Sequence, residues 1–197
     1  MNVAMMRLSI VQQFECFWEL NDNAHKAPHF EGVFECGRKI NERLGLDYDP
    51  KLILFAAYFH DMFAWNRVDH HERSYDWMRK SNHPLIVECL KPSERLLVAQ
   101  GCHEHRASFT GEFSNEFCEL INSADREMPG DVKRMVERAV MYRVKNCPEM
   151  SDDQRYEEAV KHIKEKFGNG GYARYPEFYQ KCFKEELQKQ RDEVALL

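Results

Sequence analysis

The chain has 197 residues, 43% hydrophobic and 31% charged, which suits one soluble globular domain with ample apolar material for a core. A formal net charge of -5 argues against an extended nucleic-acid partner, which needs a basic face. No apolar run approaches the roughly 20 residues that span a bilayer, "MNVAMMRLSIVQQFECFWELN" is too polar and broken for a signal peptide, and seven scattered cysteines without a CxxC pair suit free thiols, so a cytoplasmic location without a membrane partner is expected.

The periodicity predicts an all-α fold, a single domain over 1–197 with about seven to nine helices. They fall at about 7–20, 30–45, 51–64, 70–81, 93–106, 114–126, 131–146, 152–167 and 175–192, to within roughly 2–4 residues. Asp49-Pro50 signals the start of the third helix, Ser93-Glu94 and Ser151-Asp152-Asp153 offer N-caps, and the glycines of "FGNGGY" end the eighth. No run alternates cleanly and no Asn-Gly or Asp-Gly turn joins β-branched segments, so strands are not expected. The stretch 148–173 is more polar and reads as a surface excursion.

Chemistry enters with the second helix. In "AHKAPHFEGV", His25 and His29 stand four apart, and His29 opens the pattern Val33, Cys36, Gly37, Ile40, Leu44, at the inward-facing start of an amphipathic helix. The third helix, "LILFAAYFHDMFAW", is the most apolar segment, yet it carries His60 beside Asp61. A carboxylate there is costly to bury unless it is paired or bound to a cation, and imidazole and carboxylate are both ligands for Zn, Mn or Fe. Further on, Phe117, Leu120, Ile121 and Ala124 have helical spacing, and Asp125 follows on their side. Each residue alone has an ordinary reading, as a capping Asp or a surface His; a divalent metal explains them together.

His29, His60-Asp61 and Asp125, in this order on successive helices, resemble the H…HD…D signature of the HD-domain superfamily of metal-dependent phosphohydrolases. "HKAPHFEGV" resembles the H-x-x-x-H helix start of one small branch, "AAYFHDMFAW" its "A-A-[WY]-F-H-D" helix, "DHHERSYDW" its "N-E-E-R-S-A" segment and "LINSADREM" its "D-A-D-L" segment, over about 22–130. Ser123 replaces the first acid of the last segment, and His70 and His71 stand where that branch has Asn and Glu.

The resemblance implies an HD-type all-α bundle with one or two divalent ions, Mn, Fe, Co, Zn, Ni or Mg. His29, His60, Asp61 and Asp125 would hold the first ion; His70 with His103 or His105 would supply a second. It further implies Glu72 as base or water-orienting group beside Asp61 and His70, with Glu72 paired to Arg73 or Lys80 as the plain alternative. His25, Arg67, Arg73 and Arg106 are candidates for phosphate oxygens, and Trp18 or Trp65 for stacking on a base. The expected reaction is hydrolysis of a phosphoester or phosphoanhydride bond of a small nucleotide, by a monomer or a homo-oligomer. Alternatives are a di-iron oxygenase of the same superfamily and a catalytically silent nucleotide-binding module.

Overall fold

The computed structural model describes residues 1–22 and 25–197; Ala24, which opens the stretch "AHKAPHFEGV", lies outside them. Among the described residues there are eleven helices and no strand, an all-α fold. They are α1 Val3–Trp18, α2 Ala27–Leu44, α3 Pro50–Phe59, α4 His70–Lys80, α5 Pro84–Cys89, α6 Pro92–Glu104, α7 Glu116–Ala124, α8 Val132–Asn146, α9 Asp152–Phe167, α10 Glu177–Cys182 and α11 Lys184–Ala195. No helix among the described residues is long and apolar enough to cross a membrane.

Two departures from the sequence expectation raise the helix number above nine. The short α5 starts on Pro84 within a segment too brief to show a helical period. The expected 175–192 helix is two, because Phe183 (φ -117°, ψ 28°) interrupts it. A third departure bears on function: the 51–64 helix ends at Phe59, and the residues after it run through turns to Asp69.

The chain divides into two compact units, Met1–Glu127 with Pro176–Cys182, and Met128–Tyr175 with Phe183–Leu197. The first is organised around α3. Asp49 accepts the Lys51 backbone N–H at 2.9 Å and Pro50 supplies a pre-set φ for the first turn. Every residue from Leu52 to Phe59 is buried, as a helix that is apolar on all sides requires, and α1, α2, α6 and α7 pack on it. Helix α2 ends at Gly45, in the left-handed region (φ 63°), with the Leu46 N–H returning to Asn41.

The second unit is a simpler three-helix packing. Helices α8, α9 and α11 bury Val132, Val136, Ala159, Ile163 and Val194, with Met135 and Phe167 packed against them. Ser151 and Gln154 form a reciprocal capping box at the start of α9. The seven cysteines are free thiols.

Candidate metal centre

Five helices of the first unit each deliver a side chain at a helix end. His29 lies in the first turn of α2, His60 and Asp61 follow α3 directly, His70 opens α4, His105 caps the C-terminus of α6 and Asp125 that of α7. Helix ends suit this task. The side chain can point along the axis into a shared space, while the apolar helix body packs behind it.

His29 Nε2 lies 3.3 Å from His60 Nε2, 3.3 Å from Asp125 Oδ1 and 3.7 Å from Asp61 Oδ2. His60 Nε2 lies 3.4 Å from Asp61 Oδ2 and 3.3 Å from Asp125 Oδ1. A second group surrounds the other oxygen of the same carboxylate: Asp61 Oδ1 is 3.2 Å from His70 Nε2 and 3.3 Å from His105 Nε2, and the two nitrogens are 3.3 Å apart. Donors about 2.1 Å from one ion stand about 3.0–3.4 Å apart. Both groups therefore have the spacing of a coordination shell and could hold a metal ion.

The ring orientations support the same reading. His60 Nδ1 donates to Ala57 O (2.8 Å), His70 Nδ1 to Arg67 O (3.3 Å) and His105 Nδ1 to Cys102 O (2.6 Å). His29 Nδ1 donates to Glu127 Oε1 (2.9 Å). A carbonyl or carboxylate only accepts, so each Nδ1 carries a hydrogen, and each Nε2, when its ring is neutral, turns a lone pair into the cluster. Four neutral rings so oriented around two carboxylates would have the arrangement of metal-binding histidines with their outer partners. Asp61 Oδ1, fully buried, receives no hydrogen bond among the described residues despite its two nitrogen neighbours, the kind of orphan that an ion would satisfy.

Electrostatics show what balances the acids without a cation. Burial pushes Asp61 up, but His60, His105 and His70 outweigh it and hold its carboxyl well below the usual range. Burial likewise raises Asp125, and His29 and His60 hold it below. Conversely, burial lowers His60, but Asp61 and Asp125 reverse this and raise it to about 10; His29 is raised to about 8 by Asp125 and Glu127 against the same penalty. Protons on His29 and His60 thus occupy the place of a cation, and an ion must displace them. Burial lowers His105.

The remaining predicted residues are spread unevenly. His103, one of the two α6 histidines offered for the second group, turns away and packs against His71 and Tyr75, each with ring centroids 5.5 Å distant; His105 takes the place. Glu72 is exposed on the first turn of α4 and belongs to neither donor group. His25 adjoins the cluster: its Nδ1 donates to Asp22 (2.6 Å), its Nε2 accepts from Arg67 (2.6 Å) and lies 3.7 Å from Asp61 Oδ2. Arg73 pairs with Asp69 and lies over the exposed Trp65 ring, while Arg106 donates to Val68 O. Trp18 is buried against Phe30 and Tyr58, which leaves no face for a base. Phe17 and Trp77 instead line a separate cleft with Phe14 and His83.

Three supporting residues were not anticipated. Buried Asn21 donates to Asp61 O and His25 O, both at 3.0 Å, and accepts the Trp65 N–H, fixing the turn after α3. Buried Asn122 donates to Glu104 O (2.6 Å) and Arg106 O (3.0 Å), the carbonyls either side of His105, and accepts from Arg126. Glu127 holds His29. Only Asn122 left a trace in the sequence, as a polar residue inside the apolar face of α7.

No family model matches the chain, and comparison with curated proteins and with solved structures likewise gives no match.

Proposed function

We propose that the protein is a metal-dependent phosphohydrolase of the HD type, acting on a small nucleotide. The observation that carries this reading is Asp61, whose two oxygens each face a separate group of imidazole nitrogens. A carboxylate placed to bridge two ions is the core of a site for displacement at phosphorus. His29, His60, Asp61 and Asp125 would hold the first ion, and Asp61, His70 and His105 the second. Bound there, the ions would bring the pKa of water towards about 7 and draw charge from the phosphoryl oxygens.

The chain's own groups supply the rest. Arg67 and His25 stand beside Asp61, where the guanidinium can hold phosphate oxygens and His25 accepts from it. Trp65, 47% exposed beside Arg73, offers a ring face to a base. The test is metal analysis of the purified protein, followed by a nucleotide panel assayed for released phosphate with Mn, Co, Mg and Ni. Full activity in Asp61→Ala would overturn the assignment.

A second reading rests on the same donor set. Four imidazoles and two carboxylates also suit a pair of irons, so oxygen activation is the competing chemistry. Iron with a redox-sensitive absorption band would favour it; phosphate release under anaerobic conditions would exclude it as the main activity.

A further inference from the structure

Three of the four histidines in the cluster are oriented by a carbonyl three residues earlier in the chain. His29 has no such route. The carbonyl three residues before it, Lys26 O, already accepts the backbone N–H groups of His29 (2.9 Å) and Phe30 (3.3 Å) as α2 begins. The acceptor for its Nδ1–H comes instead from Glu127, 98 residues away.

Two local choices at that contact run against backbone preference. Glu127 is a non-glycine residue in the left-handed region, φ 54°, just past the turn that ends α7, where L side chains are disfavoured. One turn along α2 from His29 is Gly32, a poor residue for a helix interior. A Cβ built on Gly32 would sit 2.9 Å from Glu127 Oε2 and 3.0 Å from its Cδ. Both exceptions converge on one carboxylate, and exceptions that cluster in this way mark function rather than packing.

We infer that Glu127 is the positioning residue of the first ion site, fixing the His29 ring and strengthening its Nε2 as a donor, and that Gly32 is the gap in α2 that admits it. This rests on the metal-centre reading above. Glu127 touches His29 and acts through it. It also makes the two sites unequal, because a carboxylate partner raises imidazole basicity more than the carbonyls behind His60, His70 and His105.

The test uses the full chain, stripped with chelator and titrated with cobalt(II) by calorimetry and by its visible absorption. Glu127→Gly removes the carboxylate at a backbone position that glycine favours, and is expected to weaken the tighter binding step by about 10–100-fold. Glu127→Gln, whose amide oxygen still accepts, is expected to restore most of the affinity. Gly32→Ala leaves Glu127 in the chain but crowds it, and is expected to weaken the same step and alter the cobalt spectrum while the metal-free protein melts no lower than wild type. Wild-type affinity and spectrum in Glu127→Gly or in Gly32→Ala would overturn the inference alone. A wild-type chain that takes up no ion would overturn the metal-centre reading and this inference with it.

Discussion

The two donor groups of the candidate centre share one carboxylate but are built differently. The first has four donors, His29, His60, Asp61 and Asp125, two of them anionic. The second has three, Asp61, His70 and His105, with a single anion that it shares. The first draws on the ends of α2, α3 and α7; the second adds α4 and α6 to the same Asp61. An ion in the second group would keep more open positions and depend more on Asp61. On the metal reading, the first would therefore be the anchoring site and the second the more exchangeable one.

The largest expected effect comes from the residue common to both. Asp61→Ala removes a donor from each group, so ion uptake and phosphate release are both expected to be lost, a greater loss than the roughly 10–100-fold caused by removing an outer partner. Metal stoichiometry by elemental analysis checks this; one ion retained would break the picture of a shared carboxylate. Next, His105→Ala is expected to lose the second ion and spare the first, whereas His103→Ala spares both. Equal losses in those two variants, seen in stoichiometry, would undo the distinction between the α6 histidines.

A smaller effect concerns pH. His29 and His60 have folded-state values of about 8 and about 10, above the ordinary imidazole value. In chelator-treated protein their contribution to stability is fully present below about pH 6.5 and is lost as pH rises through about 8 and then about 10. The melting temperature of the metal-free protein is therefore expected to fall across that range. The increase in melting temperature on adding metal is expected to grow across it, because fewer protons compete for the ring nitrogens. A metal-induced increase that is flat with pH would show that His29 and His60 are not displaced from their protons.

The smallest effect falls on the second group alone. Asn122→Ala leaves the Glu104 and Arg106 carbonyls without their donor, at a cost of about 1–3 kcal/mol in stability by urea unfolding. It is also expected to weaken the second ion more than the first. Equal weakening of both would place Asn122 behind the whole cluster through Arg126, which lies 3.6 Å from Asp125 Oδ2.

Much of the fold was readable because helices declare themselves locally. The apolar run 52–59 and the inward stripe from Val33 to Leu44 each sit on one contiguous segment; the first is a helix buried on all sides, and the second is the inner face of α2, buried at Val33, Cys36, Gly37 and Ile40. Boundaries were readable where a cap depends on neighbours in sequence, as at Ser151 with Gln154. They were not where a short segment is held by packing, as in α5. Trp18 illustrates the same limit: its ring could have faced solvent or core, and α2 and α3 settled the matter by placing Phe30 and Tyr58 against it.

The sequence by itself determined the helical class and the order in which His29, His60, Asp61 and Asp125 appear at helix ends, because hydrophobic period and polar interruption are properties of the chain within a few residues. Only the tertiary structure decided between His103 and His105. Two residues apart on a helix point about 200° from each other, so one faces the cluster and the other leaves it, and the rotation of α6 against its neighbours selects which. Glu127, Asn122 and Asn21 are likewise tertiary decisions. Each reaches a partner far along the chain through a hydrogen bond that no local pattern announces.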